Sequence, residues 1–319
     1  AKQMNRKNFL KTISGGTLAL TLAPNLVFAE SSRILNPNSE YKLTILHTND
    51  QHSRIEPFDA SDGRNANKGG FARRATLIQQ IRNQEKNVLL LDSGDIFQGT
   101  PYFNFYGGEL EFKLMSMMGY DASTMGNHDF DNGLEGFLKV LPNAKFPFIT
   151  SNYDFSNTIL DGKTDKYKIF NKDGIKVGIF AVGIELDGLV GKKQYKETKY
   201  LDPIEIAQQY ADFLRKDKKC DLVICLSHIG YDYRDEPNKI SDKILAAKTD
   251  NIDLILGGHT HTFLPEPQNF TNKSGKKVLV NQVGFAGLLL GQIDFYFDKN
   301  KSVKNISWNN QVIDDRILV

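Results

Sequence analysis

The run Leu43-Thr44-Ile45-Leu46-His47-Thr48-Asn49-Asp50-Gln51-His52 decides how this chain is read. Leu43–His47 has the apolar pattern of a buried strand, and the residues after it turn abruptly polar and metal-competent. The same arrangement recurs. Val88–Leu91 runs into Asp92-Ser93-Gly94-Asp95, Ala122–Met125 into Gly126-Asn127-His128-Asp129-Phe130-Asp131, Leu222–Leu226 into Ser227-His228, and Leu254–Leu256 into Gly257-Gly258-His259-Thr260-His261. Further strands are predicted at Phe146–Thr150, Val177–Val182, Val278–Asn281 and Leu288–Phe297. Helical spacing at Phe71–Arg82, Leu110–Met118, Leu134–Val140, Ile204–Arg215 and Ser241–Ala247 separates them. That alternation is the signature of an α/β protein. Gly/Asn/Asp-rich stretches at 59–70 and 298–301 read as loops, and no repeat or shift of composition marks a second domain. The expectation is one domain over residues 41–303, with a tail at 304–319.

All six histidines of the 319-residue chain fall at the end of a predicted strand or just past it. In α/β folds ligands are held in the crevice beyond the carboxyl ends of the strands, so five strand ends are expected to converge on one pocket. Asp50/His52 and His259/His261 are i, i+2 pairs, which face one side if the backbone is extended. Gly94, Gly126, Gly257 and Gly258 directly precede candidate ligands, where the chain must turn sharply or come close to an ion. Asp50, His52, Asp95, Asn127, His228, His259 and His261 form a set of oxygen and nitrogen donors suited to Mn, Zn, Fe, Co or Mg. A tetrahedral ion takes about four protein ligands. Two divalent ions sharing a bridging carboxylate would use all seven. Any one of these histidines alone is as readily a core or surface residue; the set is much harder to explain that way. His47 lies inside the strand and is expected to hydrogen-bond rather than ligate, and Asp92 and Asp129 have turn or supporting roles.

Composition narrows the field. With 40 Lys plus Arg against 38 Asp plus Glu and no basic run beyond the N-terminus, nucleic acid is not the expected partner. In residues 1–29, Lys2, Arg6, Lys7 and Lys11 precede an apolar stretch from Ile13 to Phe28, and Val27-Phe28-Ala29 supplies a small-residue cleavage pattern. This reads as a signal peptide, followed by a linker at 30–40. Gly15, Gly16 and Pro24 interrupt the stretch, which is short of the roughly 20 apolar residues of a membrane span. Removing it takes away four cations and no acid, leaving a formal charge of −2 (36 basic against 38 acidic residues) from Glu30 onward. The expected location is periplasmic or secreted. Arg6-Lys7-Asn8-Phe9-Leu10-Lys11 is similar to a twin-arginine signal with Lys as its second residue, so both export routes stay open. Cys220 and Cys225 sit in one predicted strand, about 16 Å apart if extended. That exceeds bridging distance, so both are expected as core thiols.

Together these motifs resemble the calcineurin-like metallophosphoesterases, and within them the catalytic domain of bacterial periplasmic 5′-nucleotidases, a likeness that Gly69-Gly70-Phe71-Ala72-Arg73 also carries. The resemblance implies a four-layer α/β/β/α sandwich. It implies that Asp50, His52 and His261 hold one metal, that Asn127, His228 and His259 hold the other, and that Asp95 bridges them. His128 would be the catalytic histidine, oriented by Asp131. It further implies a secreted phosphohydrolase acting on nucleotides or small phosphate esters. A 2′,3′-cyclic-nucleotide phosphodiesterase or a nucleotide-sugar hydrolase would use the same metals. The family's nucleotidases carry a C-terminal domain that stacks on the base and holds the phosphate. The matching motifs here account only for the catalytic half, so a separate C-terminal nucleotidase-domain protein is an expected partner if this chain is a subunit. Lys192, Lys193 and Lys196 could meet an anion, and Phe97, Tyr102, Phe103, Phe105 and Tyr106 could stack on a base. A solvated loop and core packing are the plainer roles.

Overall fold

The computed structural model describes residues 41–319; the expected export signal (1–29) and linker (30–40) lie outside the described residues. In chain order the elements are β1 (Tyr41–Thr48), α1 (Phe71–Gln84), β2 (Val88–Asp92), α2 (Pro101–Tyr106), α3 (Glu109–Met118), β3 (Ala122–Ser123), α4 (Gly133–Val140), β4 (Tyr153–Asp154), β5 (Tyr167–Lys172), β6 (Ile175–Gly183), α5 (Lys192–Tyr195), β7 (Lys199–Tyr200), α6 (Pro203–Asp212), β8 (Leu222–His228), α7 (Asp242–Lys248), β9 (Leu254–Leu256), β10 (Gln268–Thr271), β11 (Lys277–Asn281), β12 (Leu289–Phe297) and β13 (Val303–Val312).

They build two mixed sheets, in the orders β13-β12-β1-β2-β3 and β10-β11-β9-β8-β6-β5, with β4-β7 as a small separate pair. β1, β2 and β3 are parallel, and so are β6, β8, β9 and β11. Alternation along single strands creates the layers, because successive side chains point to opposite faces. Leu43 and Ile45 of β1 meet Leu222, Ile224 and Leu226 of β8 in a core between the two sheets. Leu46 and Leu90 point the other way, onto Ile78 of α1 and Phe112 and Met115 of α3. Val223 and Cys225 of β8 face Ala207 and Ala211 of α6 and Leu245 of α7. Helices, sheet, sheet, helices is the expected four-layer sandwich. Helix starts follow local chemistry: Asp202 accepts from the backbone N–H groups of Ile204 (2.8 Å) and Glu205 (3.0 Å) while Pro203 opens α6.

Several expectations need correction. Residues 304–319 are not a tail, since β13 pairs along β12 from Val303 to Val312, and Ile313 is buried. The domain therefore runs past residue 303. β5, β10 and β13 escaped sequence reading for one physical reason: each is an edge strand in which most residues keep partial exposure, so none has the apolar run of a central strand. Phe146–Thr150 is buried but forms only isolated bridges, Ser123 with Phe148 and Ile149 with Asp165. Pro147, which has no N–H to give, interrupts any ladder there. The helix expected over 204–215 ends at Asp212 and continues as a π-helical turn, Phe213–Asp217. Cys220 and Cys225 are buried free thiols, as expected. Among the described residues no helix is long and apolar enough to cross a membrane.

Candidate metal centre

The segments that follow β1, β2, β3, β8 and β9 meet in one place. One cluster groups Asp50, His52 and His261, another Asp95, His228 and His259, with donor atoms in each within 4.8 Å of one another. His52 Nε2 lies 2.9 Å from His261 Nε2, and Asp50 Oδ1 lies 3.4 Å from His261 Nε2. Asn127 Oδ1 is 2.8 Å from His259 Nδ1, which adds the seventh expected residue to the second cluster. Asp95 Oδ2 is 3.1 Å from His228 Nε2 and 3.9 Å from His52 Nε2, so one carboxylate reaches towards both clusters.

In two of the rings a hydrogen bond on the far side turns the other nitrogen inward. His228 Nδ1 donates to the Ser93 carbonyl at 2.6 Å, and His52 Nδ1 is 3.3 Å from the Phe97 carbonyl. His228 Nε2 is fully buried and, although close to Asp95, has no hydrogen-bond partner of acceptable geometry. Asp50 and Asp95 are buried, and their ion-pair contacts among the described residues are with histidines alone, with no Lys or Arg. Burial opposes charge on His228, yet Asp95 and Asp50 lift its ring to about 10. Burial lowers His52, and it lowers His259 to about 4, which keeps their lone pairs available. Buried negative charge, imidazole nitrogens turned inward and an orphaned nitrogen facing a carboxylate together fit divalent cations.

The i, i+2 pairs do share a site, but not through extended backbone. Asp50 (φ 50°), His52 (48°), Asp95 (55°), His259 (71°) and His261 (52°) all adopt left-handed conformations. Asp and His visit this region more readily than most residues, but each such residue costs on the order of 1–3 kcal/mol and persists only where its surroundings over-determine it. Sequence inspection gave no sign of this. The over-determination is visible in two aspartates. Asp129 accepts from the backbone N–H of Asp95 (2.9 Å), Ile96 (3.0 Å), Phe97 (3.2 Å) and Gly126 (2.8 Å), tying the β2 and β3 loops together. Asp92 accepts from Thr48 Oγ1 (2.6 Å), Gln51 Nε2 (2.7 Å), Gly94 N (3.0 Å) and Ser123 Oγ (3.1 Å). Gln51, between two candidate ligands, also accepts from the buried Arg74 at 2.5 Å, a contact that no spacing rule would have found.

The close approach expected at the glycines is to other side chains and backbone. A Cβ on Gly126 would lie 2.2 Å from Asp95 Oδ1 and 2.6 Å from His228 Cε1. Gly126→Ala is therefore expected to displace both and weaken metal binding about 10–100-fold, the range seen when supporting groups are lost. Titration of the folded variant with Mn²⁺ would check this, and unchanged affinity would contradict it.

His128 stands beside the clusters, its ring 5.4 Å from that of His52. Its Nδ1 is 2.9 Å from Asp131 Oδ2, and that contact, opposed by partial burial, raises its pKa. Its backbone N–H donates to Asp95 Oδ1 at 2.8 Å. The remaining expectations divide. His47 touches none of the seven: it is buried between the sheets, where Asn281 Nδ2 donates to its Nε2 at 2.8 Å, and burial lowers it to about 3. Phe97 and Phe103 are core residues, whereas Phe105 is exposed. Lys192 lies over the Tyr195 ring and Lys196 pairs with Glu135. Phe285, which sequence reading did not single out, stacks on His261 at 5.1 Å and 12°.

Two packed sheets thus bring His/Asp clusters together at the carboxyl ends of parallel strands. The calcineurin-like phosphoesterase profile matches residues 43–263, more than half of the chain, and the chain belongs to that family. It is 37% identical over 290 residues to a snake venom 5′-nucleotidase of Naja atra, covering 84% of this chain and 53% of that protein. With the human 5′-nucleotidase it shares 36% over 291 residues, covering 82% and 48%. Among solved structures, the 5′-nucleotidase precursor of Thermus thermophilus superimposes with a TM-score of 0.76 at 31% identity, covering 87% of this chain and 55% of that one. The NAD nucleotidase of Haemophilus influenzae gives 0.75 at 29%, covering 86% and 50%. The chain thus spans about half the length of the curated relatives it matches.

Proposed function

We propose that the chain is an exported phosphomonoesterase of 5′-nucleotidase type, acting on nucleotides or small phosphate esters with two divalent ions. The observation that carries this reading is the pair of His/Asp clusters with Asp95 between them and the His128–Asp131 pair alongside. Asp50, His52 and His261 would hold one ion, Asn127, His228 and His259 the other, and Asp95 both. Bound there, such ions supply Lewis-acid activation of water and neutralisation of the phosphoryl oxygens. The protein's own contribution to leaving-group departure is His128, which donates a proton from its ring while Asp131 fixes the orientation of that ring. The nucleotidase relatives support the substrate class, and residues 1–29 support export.

In a second reading, recognition of the base is completed by residues carried on a separate C-terminal nucleotidase-domain protein. Hydrolysis of AMP, 2′,3′-cyclic AMP and UDP-glucose with Mn²⁺ or Zn²⁺, with the products of each separated by chromatography, tests both. AMP is the expected substrate, and chelation should abolish turnover. A preference for the cyclic nucleotide or the nucleotide sugar would replace the phosphomonoesterase reading. Two bound ions without turnover of any of the three would favour the second reading.

A further inference from the structure

We infer that Gln282 and the crossover it begins are the positioning element of the metal centre, setting the spacing between the two ligand-bearing segments, although residues 282–286 contain none of the seven candidate ligands. The inference rests on the reading of the clusters as a metal centre. The crossover leaves β11 in one sheet and enters β12 in the other, and it lies outside the stretch that the family profile matches.

Gln282 is fully buried. Its Nε2 donates to the Gly258 carbonyl at 2.5 Å, and its Oε1 accepts from Thr260 Oγ1 (3.1 Å) and from the Thr262 backbone N–H. One side chain therefore grips residues 258, 260 and 262, alternate positions that leave 259 and 261 to the two clusters. Those are two of the three left-handed histidines, one in each cluster. Such backbone relaxes unless it is held from several directions. The Gly284 N–H adds a bond to the Thr262 carbonyl at 3.0 Å, and the Leu264 N–H one to the Gln282 carbonyl at 3.1 Å.

The same crossover grips the other segment. Val283 N–H donates to Asn49 Oδ1 (3.0 Å), Asn49 Nδ2 donates to the Gly284 carbonyl (2.6 Å), and Ala286 N–H donates to the Asp50 carbonyl (2.7 Å). Asn49 Nδ2 also lies 2.6 Å from Asp50 Oδ2. Five consecutive residues thus connect Asp50 and His52, after β1, to His259 and His261, after β9. The two segments belong to different sheets and are bonded directly through the His259 N–H, 3.0 Å from each oxygen of the Asp50 carboxylate; the crossover adds further ties.

The experiment is calorimetric titration of the full, chelator-stripped chain with MnCl₂, at a temperature where circular dichroism shows the protein folded. Gln282→Ala is expected to weaken both ions together, about 10–100-fold, the range for lost supporting contacts of a metal site. Gln282→Glu keeps the acceptor for Thr260 and Thr262 but loses the donor to Gly258, so it should fall between the two. If Gln282→Ala does not fold, Thr260→Val, which removes one of the three grips, should show a smaller loss in the same direction. Unsubstituted affinity for both ions in the folded variants, or weakening of one ion only, would overturn the inference while leaving the metal centre intact. Failure of the unsubstituted chain to bind Mn²⁺ would overturn the metal centre and this inference with it.

Discussion

Replacing Asp95 by alanine is expected to remove both ions at once and to take phosphate release to background. The reason is position more than charge. Asp95 is buried, one oxygen lying 3.1 Å from His228 and 3.9 Å from His52, the other accepting the His128 N–H at 2.8 Å. The substitution deletes a donor from the cluster of His228 and His259 and removes the carboxylate that faces His52 of the other. Two divalent ions bound there would then lack a shared carboxylate to offset their mutual repulsion. Metal analysis of the purified variant is the deciding measurement. Retention of one full equivalent would show that Asp95 serves a single ion, and retention of two would remove it from the ligand set. Asp95→Asn keeps the shape and one neutral oxygen, so partial occupancy with little turnover is the expected intermediate result.

His128→Ala should behave in the opposite way, with metal content unchanged and turnover reduced by roughly 10²–10⁴-fold, the usual worth of a positioned general acid. His128 reaches the clusters through its ring contact with His52 and its backbone N–H, and alanine preserves the latter. A leaving-group series makes the test specific. Departure of a nucleoside alkoxide needs a proton, whereas departure of p-nitrophenolate does not, so the defect should be large with AMP and small with p-nitrophenyl phosphate. An equal defect on both would assign His128 to phosphate binding instead. Loss of metal would place it among the ligands. Asp131→Ala should give a weaker version of the same pattern, since it leaves the ring present but unoriented.

The legible part of this protein was its periodicity. Central strands such as β8 and β9 are buried from end to end, and that forced apolar runs whose polar terminations pointed to a common crevice. Edge strands carried no such mark: β13, with its Asn and Gln residues, looked like a polar tail because half of its surroundings are water. In the candidate centre, the side chains that meet were readable from the strand ends, yet the backbone presenting them was not. Left-handed Asp and His have the same one-letter record as extended ones. The holding residues were invisible for a similar reason. Gln51, Arg74 and Gln282 act through contacts across the fold, with Gln282 twenty-one positions beyond His261, and nothing local distinguishes them from ordinary buried polar residues.

Each cluster draws on both sheets. Asp50 and His52 follow β1 while their companion His261 follows β9, 211 positions after Asp50; Asp95 and Asn127 follow β2 and β3, while His228 ends β8. Neither sheet alone carries a complete cluster, so a nascent or half-assembled chain has no coordination sphere to offer. Capture of the ions has to wait for the most non-local contacts of the fold, the slowest class to form. Ions bound in the proposed arrangement would act as rivets across the inter-sheet seam, favouring the docked arrangement and adding to its stability with their occupancy. Metal availability would then govern not only whether the protein works but how long its two halves stay together.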